Sequence, residues 1–225
     1  MKRRGGTDHL SSSLTDLMIS LMVIFILLLV AKLNHQATRT ERSINYVMSQ
    51  MEHSQFFLHG EKLRRDGDVL VVGIPQELMS FKEAKAEQGG ADLSPQGRQY
   101  LRERMPQLAS LMCRGDIRNR IDTIVVEGHS DQKGFGLSER ENKQENLKLS
   151  QQRSMSVVSE TLDILGDQYR GCFLDLLSAT GRGDAHPLNT RDLYSPENRR
   201  VELRIRVKPD AARPIAASVA GAIQN

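Results

Sequence analysis

The sequence predicts a single N-terminal transmembrane helix followed by an α/β domain, a mixed sheet with helices packed on one face. Three observations predict it. Residues 21–31 are apolar without exception, inside a run, 14–33, that contains neither Gly nor Pro. Downstream, segments with apolar residues at helical spacing alternate with short runs rich in branched side chains, the order expected of an α/β domain. Near the C-terminus, residues 201–207 (VELRIRV) alternate apolar and charged side chains, the pattern of an antiparallel strand with one covered face.

Twenty helical residues span about 30 Å, the thickness of a bilayer's hydrocarbon core. Lys2, Arg3 and Arg4 ahead of an apolar run also suit a cleavable signal peptide. No small-x-small site follows the run promptly, and Asp16 stands in its first turn, so a retained anchor is expected. Basic residues flank both ends (Lys32, Arg39 and Arg42 follow the span), so charge alone does not orient it. Ser11, Ser12 and Ser13 offer N-cap oxygens before the helix. Ser13, Asp16 and Ser20 fall at i, i+3 and i+7 and form one polar stripe. A carboxylate this near the end of a span can also reach interfacial water, but lipid does not solvate a polar stripe, and such a stripe normally faces a protein partner or a water-filled path.

Residues 37–58 read as a polar amphipathic helix with Ile44, Met48, Met51 and Leu58 at heptad-like spacing and Gln55 interrupting. A short parallel coiled coil of a dimer and a helix lying on the soluble domain both satisfy this spacing. Residues 64–68 (RRDGD) read as a turn, 68–74 as a strand, and 82–92 as an exposed loop. Ser94 and Pro95 mark a helix start, and Gly115 its end. Then follow a strand at 121–127, a polar loop at 128–142, a helix at 147–165, and strands at 174–180 and 201–207. The expected organisation is a short cytoplasmic N-terminus (1–13), the span (14–33), a periplasmic linker helix (34–67), the α/β domain (68–208) and a flexible, Ala-rich tail (209–225).

Composition narrows the function. A net charge of +3, dispersed along the chain, argues against nucleic acid as a partner. The two cysteines, Cys113 and Cys172, fit no metal-ligand spacing, and no cofactor motif is present. His129, Ser130 and Asp131 are adjacent, and neighbouring side chains point apart, so they cannot form a catalytic triad. No enzyme activity and no metal are expected.

Five motifs follow one another along the chain: LSPxG from Leu93, IVVEGHSD from Ile124, LSQQR from Leu149 with Val157-Val158 following, GRG from Gly181 with Pro187 beyond, and NRRVE from Asn198. In this order they resemble the OmpA/MotB family of peptidoglycan-binding domains. Ser154 stands where the family usually has Ala. The resemblance implies an OmpA-like fold and a grip on peptidoglycan. Asp131 and Arg153 would hold the ammonium and carboxylate groups of the stem peptide's diaminopimelate, with Asn198 and Arg199 lining the same pocket. It also implies a periplasmic domain and a cytoplasmic N-terminus, and so an oxidising compartment in which Cys113 and Cys172 can pair.

An anchor with an intramembrane aspartate joined to such a domain is similar to the B subunits of ion-driven stator motors. The resemblance implies that Asp16 and Ser20 lie on the ion path and that the ion is a proton. It further implies a multi-span A subunit (of MotA or ZorA type) as a pentamer around a B homodimer. Leu14 and Thr15 replace the aromatic and alanine usual before the aspartate of flagellar subunits, and the chain is short. Both departures resemble the Zorya anti-phage branch more than the flagellar one. A passive OmpA-like tether is the rival reading; as a lipoprotein it would need a lipidation cysteine after the apolar run, and none is there.

Overall fold

The computed structural model describes residues 7–58, 60–82, 90–133 and 136–209. A single helix, α1 (Thr7–Glu52), runs from the N-terminal side into the body of the domain without a break. It is the one described helix long and apolar enough to cross a membrane, and its apolar window is wholly exposed. The span and the expected linker helix are thus one element, about 69 Å long at 1.5 Å per residue. Because α1 begins at Thr7, Ser11–Ser13 lie inside it rather than ahead of it. Lys2, Arg3 and Arg4, and the tail from residue 210, lie outside the described residues.

The domain is built on β1 (Lys62–Asp66), β2 (Val69–Pro75), β3 (Ile121–His129), β4 (Leu177–Gly181) and β5 (Arg200–Val207). The sheet order is β1-β2-β5-β3-β4. β3 and β4 are parallel and every other pair is antiparallel, so the sheet is mixed as expected. Helices α2 (Pro95–Met112), α3 (Gly115–Arg118), α4 (Glu139–Ile164) and α5 (Asp167–Leu176) complete the order. Ser94 caps α2 by accepting the Gly97 amide, with Pro95 at the first helical position.

The apolar core lies between the helices and one face of the sheet, where Leu70, Val72, Leu203, Ile205, Ile124 and Val126 meet Leu101, Leu108, Val157 and Phe173. The C-terminal part of α1 belongs to this core. Ile44, Val47 and Met51 are fully buried in it, and Met48 packs against it. Ile44, Met48 and Met51 of the heptad-like set therefore serve the domain's own interior rather than a coiled coil. Full burial of such side chains contributes about 1.5–3 kcal/mol each. Polar contacts fix the same junction. Arg65 grips Glu41 at 2.5 Å, the Tyr46 hydroxyl donates to Asp116 at 2.5 Å, and Arg120 stacks on the Tyr46 ring at 4.8 Å. The side chain of Leu58 lies outside the described set.

Several expected elements differ. Residues 64–66, read as a turn, are the end of β1, so the sheet starts at Lys62. Gly115 opens α3 instead of closing α2, whose C-cap is Cys113. The second long helix begins at Glu139, two turns early, because Ser138 and Glu141 form a capping box. The strand expected from residue 174 begins at Leu177, since Asp167–Leu176 is helical. β5 is the central strand, with β2 and β3 on either side, and most of its charged side chains are buried or half-buried.

The disulfide implied by the family resemblance is present: Cys113 and Cys172 are bonded, with Cα atoms 6.1 Å apart. It ties the end of α2 to the middle of α5.

Candidate functional site

The motif residues converge at one end of the sheet. β3 ends at His129, and Asp131 follows two residues later, only 6% exposed. Its position is fixed by the loop 182–198, which is stitched to the strand end by backbone bonds from Arg182 to Gly128, Ser130 to Gly183 and Gln132 to Leu193. Arg199 enters from the start of β5 and donates to Asp131 Oδ2 at 3.1 Å while its Nε donates to Gln76 Oε1 at 2.6 Å. Gln76 lies just past the end of β2, so three strand ends supply the cluster.

Arg153 arrives from α4. Its Nε donates to the Gly90 carbonyl at 3.0 Å, and its guanidinium lies 5.0 Å over the Phe81 ring. Burial pulls this guanidinium down to about 10; neighbouring Arg199 adds to the shift and Asp131 opposes it. Arg153 thus shares the electrostatic environment of the Asp131–Arg199 pair without bonding to it. An anionic ligand group between the two arginines would relieve their repulsion.

What holds α4 there is close backbone approach. A Cβ on Gly128 would sit 2.3 Å from the Ser150 carbonyl, and one on Gly181 would sit 2.4 Å from the Gln151 amide. Ser150 accepts the Gly183 amide at 2.8 Å, and Gln151 accepts the Gly181 amide at 2.7 Å. Ser154, where the family usually has Ala, is buried and donates to its own helix at the Gln151 carbonyl.

The expectation that Asn198 lines the pocket is not met. Its side chain is fully buried, accepts the Asn189 amide at 2.8 Å and donates to the Asn189 and Asp192 carbonyls. It orders the loop before Arg199, a positioning role. A cavity of about 270 Å³, lined by Gln76, Glu77, Ser80, Gln96, Pro196 and Arg199, opens beside the cluster. The sequence did not single out its glutamines: Gln76 carries no motif, and Gln96 fills the variable position between Pro95 and Gly97.

Behind Asp131, Glu127, His129 and Glu202 bring donor atoms within 4.8 Å of one another. Four guanidiniums, however, contact the two carboxylates: Arg64, Arg200 and Arg204 on Glu202, and Arg182 on Glu127. The group holds a surplus of positive charge, which repels a divalent cation. Burial opposes ionisation of Glu127, but His129 and Arg182 hold it at about 2. Burial lowers the pKa of His129.

At the other end of the molecule, Asp16 and Ser20 lie four residues apart on one face of α1, exposed along the bare helix. The Ser13 side chain lies outside the described set. Asp131 and Asp16 do not meet. The helix reaches the domain at the β1–β2 turn, where Arg65 holds Glu41, and the Asp131–Arg199 pair lies beyond the opposite end of β2. Seven residues of β2 put about 20 Å between those ends.

A comparison with protein-family models finds no match, and a comparison with curated proteins finds none. Solved structures do match. A MotB-like protein of Desulfovibrio vulgaris aligns with TM-score 0.51 and 22% identity, over 78% of this chain and 98% of that one. The periplasmic domain of Helicobacter pylori MotB aligns with TM-score 0.46 and 17% identity, over 74% and 89%. The cell wall anchor of the T6SS from Pseudomonas aeruginosa aligns with TM-score 0.43 and 25% identity, over 66% and 88%. The first of these likenesses shows the fold of the domain, a mixed sheet with helices on one face similar to that of the MotB-like protein, and in this chain an apolar helix leads into it.

Proposed function

We propose that this chain is the wall-anchored B subunit of an ion-driven membrane motor, of the kind that serves anti-phage defence in Zorya systems. One observation carries the reading. A helix with a lone carboxylate in its apolar part, Asp16, continues unbroken into the core of a domain whose far end presents Asp131, Arg199 and Arg153. In this reading Asp16, with Ser20 beside it, takes up and releases the passing proton inside a multi-span A subunit, a pentamer around a B dimer. A charge crossing 100 mV releases about 2.3 kcal/mol. The chain lies in the inner membrane with its N-terminus in the cytoplasm. Asp131 pairs with the diaminopimelate ammonium, and Arg153 and Arg199 take its carboxylate.

The rigid junction between α1 and the domain supports the same reading. A motor needs its fixed part held against torque, and here the ion-binding helix and the wall-binding fold share one core. The test is co-expression with the neighbouring multi-span protein, followed by native mass spectrometry and a sacculus pull-down. The reading expects a complex of five A and two B subunits, sacculus binding lost on Arg153→Ala, and loss of phage protection with it. A chain that binds sacculi but recruits no membrane partner is a passive tether. A complex that assembles and drives a process unrelated to phage removes the Zorya assignment alone.

A further inference from the structure

The sheet has a second face that carries none of the described helices. Register places its residues in rows across the strands. One row reads Arg64, Val71, Arg204 and Val125; the next reads Lys62, Gly73, Glu202 and Glu127. Val71 is fully buried on this face, between two register neighbours, Arg64 and Arg204, whose aliphatic stems cover apolar surface of this kind. Arg206 and Asp66 lie one row toward the membrane end, and Arg200 and His129 one row toward Asp131.

This surface is strongly cationic. With Arg182, which reaches in to Glu127 at 3.0 Å, the face carries six cationic side chains against Asp66, Glu127 and Glu202. The three acids are saturated. Glu202 alone is contacted by Arg64 at 3.0 Å, Arg200 at 2.8 Å and Arg204 at 3.5 Å, and Arg204 also holds Asp66 at 2.9 Å. The imidazole of His129, 3% exposed, lies within 3.8 Å of both buried carboxylates, and neither ring nitrogen has an aligned hydrogen-bond partner. The surplus is presented outward: Arg64 and Arg182 are about half exposed, and Lys62 and Arg206 are exposed and carry no ion pair among the described residues.

We infer that this helix-free face is a second contact to the wall, binding carboxylates of stem peptides next to the one held at Asp131. The inference rests on the wall-binding reading and extends it. Two arguments select the occupant. The face is continuous with the ligand end through Arg200 and Arg182, so a polymer gripped at Asp131 lies against it. Its chemistry, dispersed guanidinium and ammonium groups around saturated carboxylates, fits a polyanion of repeated, widely spaced carboxylates. A second copy of this chain docked by the same face would meet like charge.

The test uses the full-length chain in detergent and the double variant Lys62→Glu, Arg206→Glu, which alters the two unpaired cations and leaves the Glu202 network intact. Binding is measured to free muropeptide, to intact sacculi across a salt series, to sacculi with amidated carboxylates, and to phosphatidylglycerol vesicles. The expected result is unchanged muropeptide affinity, with sacculus affinity at low salt reduced about tenfold in the variant. Amidated sacculi should bind wild type and variant alike, because amidation removes the carboxylates that both contacts take. Equal sacculus affinities for variant and wild type overturn the second contact while leaving the Asp131 site standing. Loss in the variant of vesicle binding alone assigns the face to lipid and overturns it too. A wild-type chain that binds neither muropeptide nor sacculi overturns the wall reading, and this inference with it.

Discussion

Gly128→Ala probes how the fold carries the site. The added Cβ would stand 2.3 Å from the Ser150 carbonyl oxygen, with the Ser150 carbonyl carbon at 3.1 Å. Ordinary contact needs about 1 Å more. Neither partner is a flexible side chain: β3 lies between β5 and β4, and Ser150 is in the buried face of α4. The helix must lift, and the Gly183–Ser150 and Gly181–Gln151 bonds stretch with it. Overpacking of this kind costs about 1–3 kcal/mol; each weakened bond adds about 0.5–1.5 kcal/mol. The expected loss is about 2–6 kcal/mol, or about 4–24 °C in Tm for a domain of this size. Because α4 carries Arg153, the same shift should weaken muropeptide binding in protein that remains folded. Urea unfolding gives the first quantity and calorimetric titration the second. A Gly128→Ala protein within 0.5 kcal/mol of wild type, with unchanged affinity, would refute the close-approach account.

Other predictions follow from the junction, the staple and the buried imidazole. Met51→Ala empties a fully buried site where α1 enters the core and should cost about 2–5 kcal/mol, read by denaturant unfolding in detergent. Cys113→Ser with Cys172→Ser removes a link across 59 residues and should cost up to about 4 kcal/mol, with the same loss on reduction of the wild type. His129 has a folded pKa below its unfolded one, so the unfolded chain binds the proton first. Its contribution is complete above about pH 6.5 and is lost as pH falls through the folded pKa, with a slope of up to about 1.4 kcal/mol per pH unit. His129→Gln should flatten that part of the stability profile; an unchanged profile assigns the slope to another group.

The parts of the fold that the sequence announces are those where one local rule dominates. Ser94-Pro95 is a strong local helix start, and residues 121–127 are short and rich in branched side chains, which favours a strand. Two motif glycines, Gly128 and Gly181, reappear as the points where α4 touches β3 and β4. The misses have a common cause in tertiary context. β1 reads as a charged turn because one side of it belongs to the helix-free face, where Lys62, Arg64 and Asp66 are the appropriate residues. Glu202, Arg204 and Arg206 in β5 suggest a half-exposed strand; Arg204 is half-buried and Arg206 exposed, but pairing with three guanidiniums buries Glu202. Asn198 has the chemistry of a ligand contact, and only the fold shows its amide spent on the loop at 189–192. The heptad-like spacing of 44–51 fits a dimer seam as well as a core, and burial decides between them.

The central claim is that Asp16 carries the motor's ion. It is tested most directly by proton flux into vesicles holding the chain together with its multi-span partner, comparing wild type with Asp16→Asn. The account predicts that the variant assembles in the same stoichiometry, still binds sacculi, and conducts no protons above the level of empty vesicles. Flux equal to wild type through an Asp16→Asn complex would contradict it and leave the chain a tether between membrane and wall.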